Sequence, residues 1–192
     1  LVPRNMTIAA GFYNTLLKGD QPAIVVECLN GYRTKEKIPN NIGDFTVQIG
    51  KVEKIKAGDD ITVVSYGSTL KLVEYAATEL EKFNINCEII DCQTLIPFDL
   101  DKDISESVKK TNRIIIIDED FSGGASAYIL DNLIKKQDIY NYLDSSPFTL
   151  SAQDHRPAYG TDGDYFSKPS VDEIFNKIYS IMNELNPEKY PV

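Results

Sequence analysis

Residues 114–117 are four consecutive isoleucines, which breaks the apolar–polar alternation of a half-exposed strand. A strand without a polar side is buried on both faces, as in the centre of a parallel sheet covered by helices. Burying four isoleucine side chains contributes about 6–12 kcal/mol as an upper bound. The run ends in Asp118, Glu119 and Asp120. Gly123 and Gly124 then allow a tight turn, and Ile129, Leu130, Leu133 and Ile134 follow at helical spacing. Loops at the carboxyl ends of strands are where open α/β sheets bind ligands. Residues 113–124 (RIIIIDEDFSGG) therefore predict a fold class and the face on which chemistry would sit.

The same reading extends along the chain. Residues 5–18 predict a helix with Asn5 as N-cap and Ala9, Phe12, Leu16 and Leu17 on its apolar face. Residues 23–29 (AIVVECL) predict a short apolar strand, followed by a turn at Asn30-Gly31. This pair is too small to fold alone and reads as the last unit of an upstream sheet. Residues 34–43, crowded with Lys, Pro, Asn and Gly, predict a linker at a domain boundary. Residues 45–49 and 52–55 read as edge segments, and Gly58-Asp59-Asp60 as a turn. Residues 61–66 and 87–91 predict buried strands. Between them lies a helix capped by Ser68, with Leu70, Val73, Ala76, Ala77, Leu80 and Phe83 on one face. Asp99 is expected to open a helix bearing Leu100, Ile104 and Val108, with its acids early and Lys109-Lys110 late. Residues 147–151 predict a last strand, and residues 152–169 an irregular stretch. Ser170 and Glu173 form a capping box before a strongly amphipathic helix that includes Val171, Ile174, Phe175, Ile178, Ile181, Met182 and Leu185. The alternation predicts a three-layer α/β/α domain with a mostly parallel sheet, preceded by a helix–strand remnant of another α/β unit. The expected divisions are residues 1–33, a linker with edge strands at 34–58, and the main domain at 59–192.

The 192 residues are 42% hydrophobic and 26% charged, enough for one sizeable core. A net charge of −9 argues against nucleic acid or an anionic membrane as partner. No apolar run approaches the ~20 residues that span a bilayer. Cys28, Cys87 and Cys92 are odd in number and lack metal or redox spacing, so reduced, buried thiols in a cytoplasmic protein are expected. The start at Leu1, without an initiator Met, leads to the expectation of a piece of a longer polypeptide.

Several groups invite a chemical reading, and each has a plainer one. Asp118, Glu119 and Asp120 stand where acid–base or metal chemistry would be placed. A solvated acidic loop explains them more simply. Gly123-Gly124 lacks the spacing of a dinucleotide fingerprint and the Lys of a P-loop, which favours a tight turn. His155 is the only histidine, so zinc is disfavoured and a loop-anchoring imidazole is expected. Asp162-Gly163-Asp164 fails the calcium-loop spacing and reads as a turn. Ser65, Ser122 and Ser126 lack a G-x-S-x-G elbow. Tyr159 and Tyr165 read as packing or interface residues. The residues alone lead to an α/β domain without an assigned activity.

Taken together, Val2-Pro3 before a helix, residues 22–33 (PAIVVECLNGYR), Ile49-Gly50-Lys51, residues 61–67 (ITVVSYG), residues 91–99 (DCQTLIPFD), the isoleucine run, Gly123-Gly124 and Pro169-Ser170-Val171 cover nearly the whole chain. In that order they resemble the C-terminal portion of the beta subunit of thiamine-diphosphate-dependent 2-oxo acid dehydrogenases. That portion is the transketolase C-terminal-like domain, preceded by the end of the pyrimidine-binding domain. The resemblance implies a parent enzyme that decarboxylates a 2-oxo acid, pyruvate or a branched-chain acid, and passes the acyl group to a lipoyl acyltransferase. It implies thiamine diphosphate and magnesium as cofactors of the parent, held by earlier domains, and none bound here. It implies an alpha subunit or fused alpha part, a second beta subunit and the acyltransferase as partners. This stretch alone is expected to be inactive and to serve assembly, docking and the shape of the active-site entrance.

Three positions depart from the family pattern. Gln93 stands where Arg is usual, Asp118 where His is frequent, and Tyr128 near a frequent Glu. The first two remove positive charge from the sheet's carboxyl edge. That argues against a substrate-anion contact there, and against the related transketolase or deoxyxylulose phosphate synthase types. Arg33 is retained, as a channel residue or a structural Arg at the boundary. The strand-end or channel candidates are thus Arg33, Gln93, Asp118, Glu119 and Asp120. The alternatives carried forward are another thiamine-diphosphate enzyme and a non-catalytic ligand-binding regulatory domain.

Overall fold

In the computed structural model the described residues are 1–157, 159, 160 and 163–191, without the side chains of Asn30 and Asp164. Their strands are β1 (Glu53–Lys56), β2 (Ile61–Ser65), β3 (Cys87–Asp91), β4 (Ile114–Phe121) and β5 (Phe148–Ala152). Their helices are α1 (Met6–Leu16), α2 (Thr69–Glu81), α3 (Asp103–Thr111), α4 (Ala125–Gln137), α5 (Gly163–Ser167) and α6 (Val171–Leu185). The sheet order is β1-β3-β2-β4-β5. β3, β2, β4 and β5 run parallel, and β1 pairs antiparallel with β3 at one edge.

The isoleucine run shows why the sheet needs two helical layers. Ile115 and Ile117 pack with Val73 and Leu80 of α2 and with Ile174 and Ile178 of α6. Ile114 and Ile116 pack with Ile104 and Val108 of α3 and with Ile129 and Leu133 of α4. All four are buried, so the expected three-layer α/β/α fold with a mostly parallel, mixed sheet is present. Alternation also divides β2, where Ile61 and Val63 face α2 and α6 while Val64 faces the opposite layer. On that second face Thr62 meets the hydroxyls of Ser107 and Thr111 on α3, each at 2.7 Å.

Local signals hold at several termini. Asn5 Oδ1 accepts the Ile8 N–H at 2.9 Å, and the Ser170–Glu173 capping box is complete. Others differ. Ser68 occupies the N-cap position of α2 but makes no side-chain cap bond. The helix expected from Asp99 begins at Asp103, and Leu100 lies exposed outside it. Asp99 instead caps α3 from upstream, accepting the N–H groups of Asp103 and Ile104 at 3.0 and 3.1 Å. Phe83 lies past α2 and edges onto Phe175 and Tyr179, with ring centroids 5.5 Å apart in each pair. The stretch 152–169 contains the short helix α5, and Asp162 of the expected Asp162-Gly163-Asp164 turn lies outside the described residues.

The first fifty residues depart most from expectation. Residues 23–28 belong to no strand, and Leu29–Arg33 forms a 3-10 helix. Among the described residues, backbone pairing of residues 23–28 with other segments is confined to Leu1, which donates to Ile24 O at 3.0 Å and accepts from Val26 N at 2.9 Å. Ile24, Val26 and Leu29 are exposed, as is Leu17 of the predicted apolar face of α1. A strand needs neighbours on its edges, and the described residues supply only Leu1. Residues 45–49 are likewise no strand. Phe45 and Val47 pack on α1 with Ile8 and Phe12, over Gly11, where a Cβ would meet both side chains at 2.6 Å. The linker is also engaged, since Glu36 accepts the N–H of Met6 at 3.2 Å at the start of α1.

Candidate functional site

At one edge of the parallel strands, Asp91 and Gln93 meet the leading segment of the chain at Arg4 and Val2, and Tyr66, just past β2, pairs with Asp118 of β4. β4 continues past the isoleucines as far as Phe121, so the acidic triplet is the end of a strand and not the solvated loop expected from sequence. Asp118 is fully buried. One of its oxygens accepts from the Tyr66 hydroxyl and from Asp120 N–H at 2.9 Å. The other accepts Ser126 N–H at 2.6 Å, which caps the first turn of α4. Burial, and then the bond to Asp118, push the Tyr66 phenol well above its ordinary pKa. Tyr66 is therefore a fixed hydrogen-bond donor and not a base.

Beside it, Asp91 at the end of β3 faces Arg4. The guanidinium donates to Asp91 at 2.9 Å and to both oxygens of Glu53 at 2.7 and 3.1 Å. Burial pushes the Asp91 carboxyl up to about 6, outweighing the downward pull of Arg4 and of the Gln93 N–H. Gln93 is buried with a positive φ of 56°. Its backbone oxygen accepts Val2 N–H at 2.9 Å and its side chain donates to Lys51 O at 3.3 Å. Its Oε1 accepts no hydrogen bond among the described residues.

Two cavities adjoin the start of α2 and share Cys28, Ser68 and Lys71. The larger, about 460 Å³, lies between residues 3–6, residues 27–36 and α2; its charged lining is Arg4, Glu27, Glu36, Lys71 and Glu74. The other, about 390 Å³, is bounded by Glu119, Tyr165, Lys168 and the start of α6. Of the five strand-end or channel candidates, Glu119 alone lines either cavity, and its carboxylate stands 3.5 Å from Lys168 Nζ. Arg33 is exposed on the 3-10 helix and Asp120 is exposed. Gln93 and Asp118 are interior, so these five do not converge on one site.

The described residues hold no group of three His, Cys, Asp or Glu side chains able to bind a metal ion. Asp118 is consumed by its internal donors and Asp91 by Arg4. This donor set does not fit a magnesium diphosphate. His155 is exposed, with Nδ1 2.9 Å from Arg156 O, an imidazole tied to its own loop as expected. Ser65 Oγ donates to Ile117 O at 2.9 Å, which leaves it no catalytic base. Cys87 and Cys92 are buried free thiols, and burial pushes Cys87 up to about 12. Cys28 is only half-buried, against expectation. Tyr165 and Tyr159 are exposed, held by Asp172 and by Arg156. Sequence reasoning missed Arg4 and Tyr66. The available signals were a lone Arg after Val2-Pro3 and a Tyr at the end of the predicted strand 61–66.

The sheet has four parallel strands and one antiparallel edge strand between two helical layers, with the strand-end acids Asp91 and Asp118 buried. The chain belongs to the transketolase C-terminal domain family, whose model matches residues 50–167. It is similar to the pyruvate dehydrogenase E1 component subunit beta of Rickettsia bellii, with 33% identity over 172 residues, 89% of this chain and 51% of that protein. It is also similar to the subunit of that name from Rhizobium meliloti, with 29% identity over 94% of this chain and 39% of the other. The chain thus spans about half or less of the length of these relatives. Among solved structures, one described as a split-gene transketolase, an inactive beta4 tetramer, superposes with a TM-score of 0.57 at 18% identity. That superposition covers 72% of this chain and 43% of the other.

Proposed function

We propose that the chain is the C-terminal portion of the decarboxylating component of a 2-oxo acid dehydrogenase complex, acting in assembly and partner docking. The observation that carries this reading is the likeness to pyruvate dehydrogenase E1 beta subunits. It runs over 89% of the chain, well beyond the residues 50–167 of the domain family. The inward-turned acids at the strand ends support the same reading, because they leave the cofactor chemistry to other parts of the parent. Thiamine diphosphate and magnesium would be held there, in a cytoplasmic enzyme. The partners would be an alpha subunit or fused alpha part, a second copy of this part, and a lipoyl acyltransferase. The acidic surface, net −9, suits a basic docking domain on that acyltransferase. The likeness to the split-gene transketolase beta tetramer favours a second reading, in which the catalytic half is a separate chain.

The test is decarboxylation of pyruvate and branched-chain 2-oxo acids with thiamine diphosphate and magnesium. The 192 residues alone should show no turnover, and a longer protein that carries the preceding domains should be active. A folded but inactive longer protein across a broad panel of 2-oxo acids would overturn the dehydrogenase assignment.

A further inference from the structure

The strand order places β2 beside β4, and the chain leaves their carboxyl ends in opposite senses. From β2, α2 leads to β3 across one face of the sheet; from β4, α4 leads to β5 across the other. Neighbouring strands that part in this way leave a crevice between them, which is where open α/β sheets bind ligands. The cavity of about 390 Å³ lies there, with Ser68, Thr69, Lys71 and Leu72 on the β2 side and Glu119 on the β4 side. Among its described lining residues Cys28 alone precedes Ser68, so its walls belong to the main domain.

Unused donors gather at the start of α2. Thr69 is only 4% exposed, and its hydroxyl has no hydrogen-bond partner among the described residues. A buried hydroxyl is ordinarily bonded. This one is not sealed inside the protein, and the opening that Thr69 borders is this cavity. Ser68 makes no side-chain cap bond. The N–H groups of Ser68 and Thr69, at the positive end of a 13-residue helix, also have no partner among the described residues. Lys71 brings an ammonium to the same cavity, while the charge of Glu119 is met by Lys168 at 3.5 Å. Leu72, Pro169 and Val171 supply apolar wall.

We propose that this crevice binds a small organic phosphate monoester, its phosphoryl group at the start of α2 and its apolar body against Leu72, Pro169 and Val171. Two hydroxyls, two backbone N–H groups and one ammonium suit the three terminal oxygens of a phosphoryl group and its double charge. A magnesium-bound diphosphate is not such a ligand, because the metal cancels the charge that Lys71 and the helix end attract. The inference concerns a site within this domain and does not depend on the dehydrogenase reading.

Phenyl phosphate is the probe, titrated without magnesium into the 192-residue chain and followed by calorimetry and by amide shifts in 1H–15N spectra. It should bind one-to-one with about millimolar affinity or tighter, and inorganic phosphate about tenfold more weakly. The shifts should centre on Thr69 and Lys71. Thr69→Val keeps the side-chain shape and removes the hydroxyl, and Lys71→Gln removes the charge; each should weaken binding about fivefold or more with circular dichroism unchanged. A longer protein that carries the preceding domains should bind equally well. No saturation at about 10 mM phenyl phosphate overturns the proposal. So does affinity unchanged in both variants, or binding that the longer protein lacks.

Discussion

Asp118→Ala separates a structural carboxylate from a reactive one. The substitution strips three donors of their acceptor: the Tyr66 hydroxyl, Asp120 N–H and Ser126 N–H. Asp120 is exposed, so water can replace its partner, whereas Tyr66 and Ser126 are buried. Hydrogen bonds to a charged group contribute about 1.5–3 kcal/mol each, and an orphaned buried donor adds its own desolvation cost. Part of this is offset because the buried charge itself disappears. The expected loss is about 3–5 kcal/mol, a large share of the roughly 5–15 kcal/mol of a typical domain. Urea unfolding followed by circular dichroism measures it, with the denaturant slope unchanged. Asp118→Asn keeps one acceptor oxygen and should lose about half as much. Tyr66→Phe removes a donor from the same network, so the two substitutions should be non-additive by about 1–2 kcal/mol. Glu119→Ala, which breaks a half-exposed contact with Lys168, should stay within about 0.5 kcal/mol. A loss below about 1 kcal/mol for Asp118→Ala, or an equal loss for Glu119→Ala, would refute the assignment of Asp118 as the tie between β2, β4 and α4.

Further outcomes follow from the same contacts. Asp91 holds its proton more tightly when folded, at about 6 against 3.8 in the ordinary carboxylate. Its stabilising contribution is therefore complete below about pH 4 and lost as pH rises to about 6, amounting to about 2–3 kcal/mol at most. Stability–pH profiles of wild type and Asp91→Asn should differ by that slope, and identical profiles would disprove it. Ser170→Ala breaks the capping box of α6 and should cost about 1 kcal/mol in thermal or urea unfolding. Gly58→Ala would set a Cβ 2.3 Å from the backbone carbon of Cys87 and should cost about 1–3 kcal/mol. At Gly124 the nearest atom, at 2.5 Å, belongs to the movable, exposed Asp120 side chain, so Gly124→Ala should cost less than Gly58→Ala in the same unfolding assay.

The elements that announce themselves in the sequence are those whose stabilisation is local or periodic. The isoleucine run, the stripes of α2 and α6, the Asn5 cap and the Ser170–Glu173 box could all be read directly, because spacing alone dictates which face is buried. Residues 23–29 could not. Their composition is that of a strand, but a strand exists only where something pairs with it, and pairing is not a property of the stretch. The start of α3 was misplaced because Asp99 caps it from outside, across a left-handed Lys102, which no helical period reveals. The strand-end acids were legible as a place and illegible as a role. Nothing near Asp118 in sequence shows that Tyr66, fifty-two positions earlier, donates to it. Arg4 was missed for the same reason, since its partners Glu53 and Asp91 are distant in the chain.

The central claim is that this chain holds the structural half of a thiamine-diphosphate enzyme while the cofactor is gripped elsewhere. Calorimetric titration of the folded 192-residue chain with thiamine diphosphate in excess magnesium tests it most directly. The account predicts no saturable heat at millimolar cofactor, and micromolar binding with one-to-one stoichiometry to this chain by itself would contradict it.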